Sequence, residues 1–166
     1  VNVKFMEWGL VPHLHSLENK IRFVNAEIEN VNKTSFFRNL INQNRCLIPM
    51  SGFYEWDYKT VPHQPYYFYL PYRELFTIAG IWNLTRIGNK DIYTFTILTR
   101  EASSNVRCVH NRMPVIVTPA NHQRWLEDPT FDVTSLLPAP PLYFYKIGNK
   151  INDSHLNEMS LFNPLS

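Results

Sequence analysis

Glu55 lies between Tyr54 and Trp56 in the run Phe53-Tyr54-Glu55-Trp56, a setting suited to acid–base work. A carboxylate among bulky rings is costly to leave ionised without a partner. Its pKa therefore rises, and it can act as a general acid or base near neutral pH. Two plainer readings stand beside this one: the side chain reaches solvent at a strand end, or it pairs with an arginine. His110, in His110-Asn111-Arg112-Met113-Pro114, belongs to the residue type that titrates nearest neutrality, and it sits just before a strand, where functional groups gather. A lone loop histidine is also read as an ordinary surface residue. Asn25, in Phe23–Glu29, is either a turn former or an amide aimed at a substrate atom, and the local sequence favours the turn. His13 and His15 are too few for a metal site without a third ligand, so no metal and no cofactor is expected.

The elements that must position these groups are short and mostly extended. Arg45–Trp56 anchors the chain. Cys46-Leu47-Ile48 reads as a strand that Pro49 ends, since proline cannot donate to a ladder. Ser51-Gly52 turns the chain. Alternation then puts Phe53 and Glu55 on one side and Tyr54 and Trp56 on the other. Ahead of this, Val1–Trp8 reads as a strand already under way, and Ser35 as the cap of a helix whose Phe36, Phe37, Leu40 and Ile41 share one apolar face, with Arg38 on the wet side. Further strands are expected at Pro65–Leu70, at Leu75–Leu84 with a bulge or close approach at Gly80, at Ile92–Thr99, at Val115–Val117 and at Leu142–Tyr145. Ile87–Asp91 reads as a hairpin loop. In Ile92–Thr99 the Tyr93, Phe95, Ile97 face is the more apolar one. One helical turn is expected within Ala102–Val109, and a helix from Thr118-Pro119 that carries Trp125 into the core.

Strands in hairpins rather than strand–helix–strand alternation predict an α+β domain. Its strands should be mostly antiparallel, in two sheets closing toward a barrel, with a few short helices. The length of 166 residues suits a single domain spanning 1–166. A hydrophobic share of 45% with 18% charged residues excludes a disordered chain. A net charge of +2 does not by itself announce a nucleic-acid binder. Cys46 and Cys108 give no disulfide framework and fit a reducing, cytoplasmic compartment. No apolar run is long enough to span a bilayer, so no membrane partner is expected.

Five segments in order carry a family resemblance: Trp8-Gly9-Leu10-Val11-Pro12, Val24-Asn25-Ala26-Glu27, Arg45–Trp56, Ala79-Gly80-Ile81-Trp82 and His110–Pro114. Together they resemble the SRAP family, the SOS response-associated peptidases or abasic-site processing proteins, over essentially the whole chain. The resemblance implies binding of single-stranded DNA, or single- to double-strand junctions, at abasic sites. It implies attack on the opened-sugar aldehyde by an N-terminal cysteine, whose α-amine forms a Schiff base and whose thiol closes a thiazolidine. It implies that Glu55 protonates the sugar ring oxygen, that His110 assists proton transfer and crosslink reversal, and that Asn25 is the amide near the cysteine. Arg112 corresponds to a phosphate-gripping arginine, and Trp56 to a ring placed near the DNA. The peptidase label reflects initiator-Met removal and a proposed autoproteolysis.

The chain departs from the pattern in three places. It has no Met-Cys-Gly-Arg opening, and neither Cys46 nor Cys108 offers an α-amine beside its thiol, so a leading segment is expected ahead of Val1. Glu27 stands where the family usually has a phosphate-touching arginine, and Asn111 where it has aspartate. Beside the covalent lesion trap, a non-covalent DNA-binding module and a peptidase using Glu55 and His110 remain open readings. A monomer is expected.

Overall fold

The computed structural model describes residues 2–12, 21–71, 75–87, 89–136 and 140–165. Its strands are β1 (Glu7–Trp8), β2 (Asn25–Glu27), β3 (Arg45–Met50), β4 (Phe53–Asp57), β5 (Gln64–Tyr69), β6 (Phe76–Ile87), β7 (Lys90–Glu101), β8 (Arg112–Pro114), β9 (Ile116–Val117) and β10 (Tyr143–Lys146). Its α-helices are α1 (Ser35–Gln43), α2 (Ser104–Arg107) and α3 (His122–Glu127), with short 3-10 turns between later elements. The fold is α+β with two sheets, and among the described residues neither closes into a barrel. His13 and His15 lie outside the described residues.

The chain forms two compact units. The first comprises Val1–Ile48, Thr77–Arg100 and Pro114–Leu137. Its sheet runs β1-β7-β6-β3. β6 and β7 form a long antiparallel hairpin, paired from Gly80↔Ile97 to Ile87↔Lys90. β1 and β2 both run parallel to β7 at successive stretches, with Glu7 opposite Thr94 and Asn25 opposite Ile97. These two pairs are parallel in a fold whose strands are mostly antiparallel. Gly80 pairs with Ile97 at the end of the β6–β7 ladder, and it marks a close approach. A β-carbon there would meet Cys46 Sγ and the Thr96 carbonyl oxygen at 3.0 Å.

Helix α1 covers this sheet because its apolar residues recur at helical spacing. Leu40 and Ile41 are buried, Phe36 and Phe37 pack on the core, and Arg38 faces water. Trp125 of α3 is fully buried and donates its Nε1–H to the Cys46 carbonyl at 2.9 Å. Arg45 gathers the carbonyl ends of both helices: its guanidinium donates to Ile41, to Trp125 at 3.2 Å and to Asp128 at 2.8 Å. The last carbonyls of a helix have no partner within it, and a planar fork of donors satisfies several at once.

Three local expectations are corrected here. Pro49 does not end the strand but lies inside β3, exposed. β3 closes one end of its sheet order, and an edge strand tolerates a residue that cannot donate. Thr34, not Ser35, caps α1; its hydroxyl accepts from the Phe37 N–H at 3.4 Å. Residues 2–6 are outside any strand, and Val3 and Phe5 are fully solvated, so the N-terminal strand is only Glu7–Trp8. On β7 the Thr94, Thr96, Leu98 face is buried, and the more apolar Tyr93, Phe95, Ile97 face is half-buried. Burial of a hydroxyl is tolerable when it is bonded, and Thr94 Oγ1 accepts the Val11 N–H at 3.1 Å.

The second unit comprises Pro49–Phe76, Glu101–Met113 and Pro138–Ser166. Its sheet runs β10-β5-β4, all antiparallel. Phe53 pairs with Phe68, Tyr54 with Tyr67 and Glu55 with Tyr66, while Phe144 of β10 pairs with Phe68. Alternation sorts these into two faces. One holds Phe53, stacked on Phe68 at 5.2 Å, together with Glu55, Tyr66 and Phe144. The other is a tyrosine face, Tyr54, Tyr67 and Tyr145, with Phe162 stacked on Tyr67 at 5.8 Å. Gly52 lets the β3–β4 turn pass: a β-carbon there would collide with the Tyr67 ring and the Phe68 carbonyl oxygen.

Candidate functional site

Glu55 is the polar member of an aromatic face. Strand β4 delivers it beside Phe53 and directly across from Tyr66, and its side chain is 21% exposed. Burial raises its carboxyl above its ordinary value, and the adjacent His110 pulls only partly the other way. Burial also raises the Tyr66 hydroxyl, and Asp57 and Cys108 add to that.

His110 reaches this face from a loop closed on itself. Helix α2 is a single turn, and the His110 N–H returns to the Val106 carbonyl at 3.0 Å. The Ala102 N–H donates to the Asn111 carbonyl at 2.9 Å, and Met113 Sδ accepts the Ser103 N–H at 3.3 Å. Arg107 pairs with Glu101 at 3.2 Å across the base of the loop. The loop is tied to the sheet unit by Asn105 Nδ2, which donates to the Leu142 carbonyl, and by Lys59 Nζ, which donates to the Cys108 carbonyl at 3.5 Å.

The product of these contacts is a carboxyl–imidazole pair. His110 Nδ1 lies 3.5 Å from Glu55 Oε2 and 3.2 Å from both the N and the O of Arg112. The proton inventory has two states. With Nδ1 unprotonated, its single lone pair accepts the Arg112 N–H, and Glu55 Oε2 stands 3.5 Å away. With Nδ1 protonated, the imidazole donates to Glu55 or to the Arg112 carbonyl. A carboxyl that burial raises, 3.5 Å from an imidazole nitrogen, is an arrangement suited to acid–base chemistry.

Of the residues singled out in the sequence, Glu55, His110 and Arg112 come together here. Arg112 is half-buried and contributes its backbone to the histidine. Trp56 points from the opposite face of β4; its Nε1–H donates to Asn152 Oδ1 at 2.9 Å. Asn25 belongs to the first unit. It begins β2 rather than forming a turn, and its side chain is exposed. Glu27, two residues on, accepts a hydrogen bond from Asn30 Nδ2. Among the described residues no three His, Cys, Asp or Glu side chains gather as a metal site would.

Two participants escaped the sequence reading. Tyr66 was visible in principle, because two strands with alternating aromatics leave few registers once Phe53 must face Phe68. Tyr58 carried no signal: its ring centroid lies 4.7 Å from that of His63 and 6.2 Å from that of His110, a contact set by a loop.

Comparison with known proteins follows the same residues. The family described as SOS response associated peptidase (SRAP) matches residues 1–154. The chain is 35% identical to the abasic site processing protein YobE of Bacillus subtilis over 167 residues, covering 92% of this chain and 74% of that protein. It is 30% identical to the abasic site processing protein HMCES of Gallus gallus, covering 89% of this chain and 53% of the relative. The crystal structure of a protein from Bacteroides thetaiotaomicron superposes with a TM-score of 0.86 at 25% identity, covering 97% of this chain and 76% of that one. A second, from Bordetella bronchiseptica, gives a TM-score of 0.76 at 28% identity, covering 86% and 76%. By sequence and by fold, this chain belongs to the SRAP family.

Proposed function

We propose that this protein captures abasic sites in single-stranded DNA, with Glu55 and His110 moving the protons. The observation that carries the reading is the 3.5 Å approach of His110 Nδ1 to a Glu55 carboxyl that burial holds above its ordinary value. The names of the relatives supply the substrate: they are abasic site processing proteins.

An abasic sugar rests mainly as a closed hemiacetal. Glu55, protonated, gives its proton to the ring oxygen as the carbon–oxygen bond breaks. The anomeric hydroxyl releases its proton to His110 and becomes the aldehyde. The α-amine of the N-terminal cysteine that the family resemblance implies adds to that aldehyde and expels water as a Schiff base. Its thiol then adds across the C=N bond and closes the thiazolidine. Glu55, now a carboxylate, recovers a proton from His110, so the pair ends as it began. Arg112 supplies positive charge for a phosphate. Asn25 is assigned the amide that steadies the amine on family resemblance alone, and Trp56 the ring beside the DNA on the same ground.

The test is a denaturing gel of full-length protein incubated with single-stranded DNA carrying one abasic site. A gel-stable adduct that forms more slowly in Glu55→Gln is expected. Reversible, salt-dependent binding without an adduct would instead mark a non-covalent module. Cleavage of a fluorogenic peptide, lost in Glu55→Gln, would mark a peptidase.

A further inference from the structure

Beside the carboxyl–imidazole pair, within the same unit, lies a cleft of about 510 Å³ lined by Trp56, Tyr58, Val61, Pro62, His63 and Asn152. Three of its six lining side chains are flat rings, two are small apolar groups and one is an amide. We propose that this cleft stacks one unpaired nucleobase of the DNA strand that carries the lesion. The proposal rests on the reading above and adds a subsite to it.

The walls suit a base and are already shaped. The phenol of Tyr58 lies 4.7 Å from the His63 ring, centroid to centroid, tilted by 57°, so the two rings form an angled wall and not a closed stack. Tyr58 is 63% exposed and Val61 94% exposed, so the faces are open to a ligand. The loop behind them is held by its own hydrogen bonds. The Lys59 N–H donates to Asp57 Oδ1 at 3.0 Å, and the Gln64 N–H donates to Thr60 Oγ1 at 2.8 Å. His63 Nδ1 lies 2.9 Å from the Thr60 carbonyl, which fixes the proton on Nδ1 and leaves Nε2 as an acceptor for an exocyclic amine. Asn152 accepts from Trp56 through Oδ1, which orients its amide and leaves the NH₂ as a donor for a base carbonyl.

Position favours a nucleic-acid strand over a proline-rich peptide, the other ligand that aromatic grooves take. Tyr58 also touches the His110 ring, at 6.2 Å between centroids, so the cleft adjoins the proton-moving pair. Lys150 is exposed on a neighbouring turn, as is Lys59, whose ammonium also reaches the Cys108 carbonyl at 3.5 Å, and both could meet backbone phosphates flanking the base. Asp57 accepts the Lys59 N–H and Asp153 the His155 N–H, each at 3.0 Å, which orients these carboxylates within their own turns.

The test uses fluorescence anisotropy with single-stranded DNA carrying a tetrahydrofuran abasic analogue, which has no aldehyde and reports binding alone. One stacked base is worth about tenfold in Kd. Tyr58→Ala and His63→Ala should each weaken binding by about that factor, whereas Tyr58→Phe keeps the ring and should bind within about twofold of the parent. In a second series, each base near the lesion is replaced in turn by an abasic spacer. The parent should lose affinity at one position, and Tyr58→Ala should show no such position. A flat series in the parent, or alanine variants that bind as the parent does, overturns the subsite while the abasic-site reading stands. Displacement of the DNA by a proline-rich peptide together with a flat series assigns the cleft to peptides and also overturns it. Failure of the parent chain to bind the DNA at all overturns both readings. Both alanine positions are exposed, and thermal unfolding of each variant checks that the fold is kept.

Discussion

Replacing Glu55 with glutamine should harm the chemistry and help the fold. The side chain is 21% exposed and sits 3.5 Å from His110 Nδ1. Opposite unit charges at that distance attract by roughly 5 kcal/mol at an effective dielectric near 20, before either is taken out of water. Burial nevertheless dominates, since the carboxyl ends above its ordinary value. Ionised Glu55 is therefore a net cost to the folded state. Glutamine keeps the shape, donates an amide N–H to Nδ1 and carries no charge. The expected gain at neutral pH is about 1 kcal/mol, the size usual for relieving a strained functional position. In thermal unfolding that is about 3 °C.

The sign with pH follows from linkage. A carboxyl whose folded pKa is raised contributes stability that is fully present below its unfolded value and is lost as pH rises through the folded value. The advantage of Glu55→Gln should thus be near zero at about pH 4 and larger at about pH 8. Urea unfolding of both proteins at the two pH values measures it. Destabilisation of Glu55→Gln at the higher pH by about 1 kcal/mol or more would refute the reasoning. It would mean that an ion pair with His110 holds the site together and that burial does not govern the carboxyl.

Three further outcomes follow from particular contacts. Gly52→Ala should cost about 3 kcal/mol by urea unfolding, because the new methyl collides with a backbone carbonyl as well as the Tyr67 ring. Cys46, whose thiol burial pushes up to about 12, should resist iodoacetamide at mildly alkaline pH in the folded protein, while exposed Cys108 is alkylated; peptide mass spectrometry separates them. Glu27→Arg should tighten binding to single-stranded DNA and steepen its log–log salt dependence by about one, since it replaces a phosphate-repelling charge on β2 with an attracting one.

Much of this was legible in the chain because it depends on local rules. Alternation in Phe53–Trp56 sorted Glu55 from Trp56, and the spacing of Phe36, Phe37, Leu40 and Ile41 gave α1 its buried side. The errors came where a neighbour distant in sequence decides. Pro49 reads as a stop until β3 proves to be an edge. The alternation in β7 shows which face is more apolar but not which one is buried, and the Val11 N–H bonded to Thr94 belongs to the buried one. The parallel docking of β1 and β2 on β7 leaves no periodic trace, since strands of two and three residues carry too little pattern. At the site, each member was visible singly, but their meeting was not. Glu55 and His110 are joined by a loop that closes through backbone bonds and Met113 Sδ, which no spacing rule encodes.

The most direct measurement is intact-mass spectrometry of full-length protein incubated with abasic single-stranded DNA, followed over time. The account requires a species equal to protein plus oligonucleotide less one water, formed about a hundredfold more slowly or worse in Glu55→Gln, the size expected for loss of a positioned acid. Absence of that mass, or its formation by Glu55→Gln at the unaltered rate, would contradict the account.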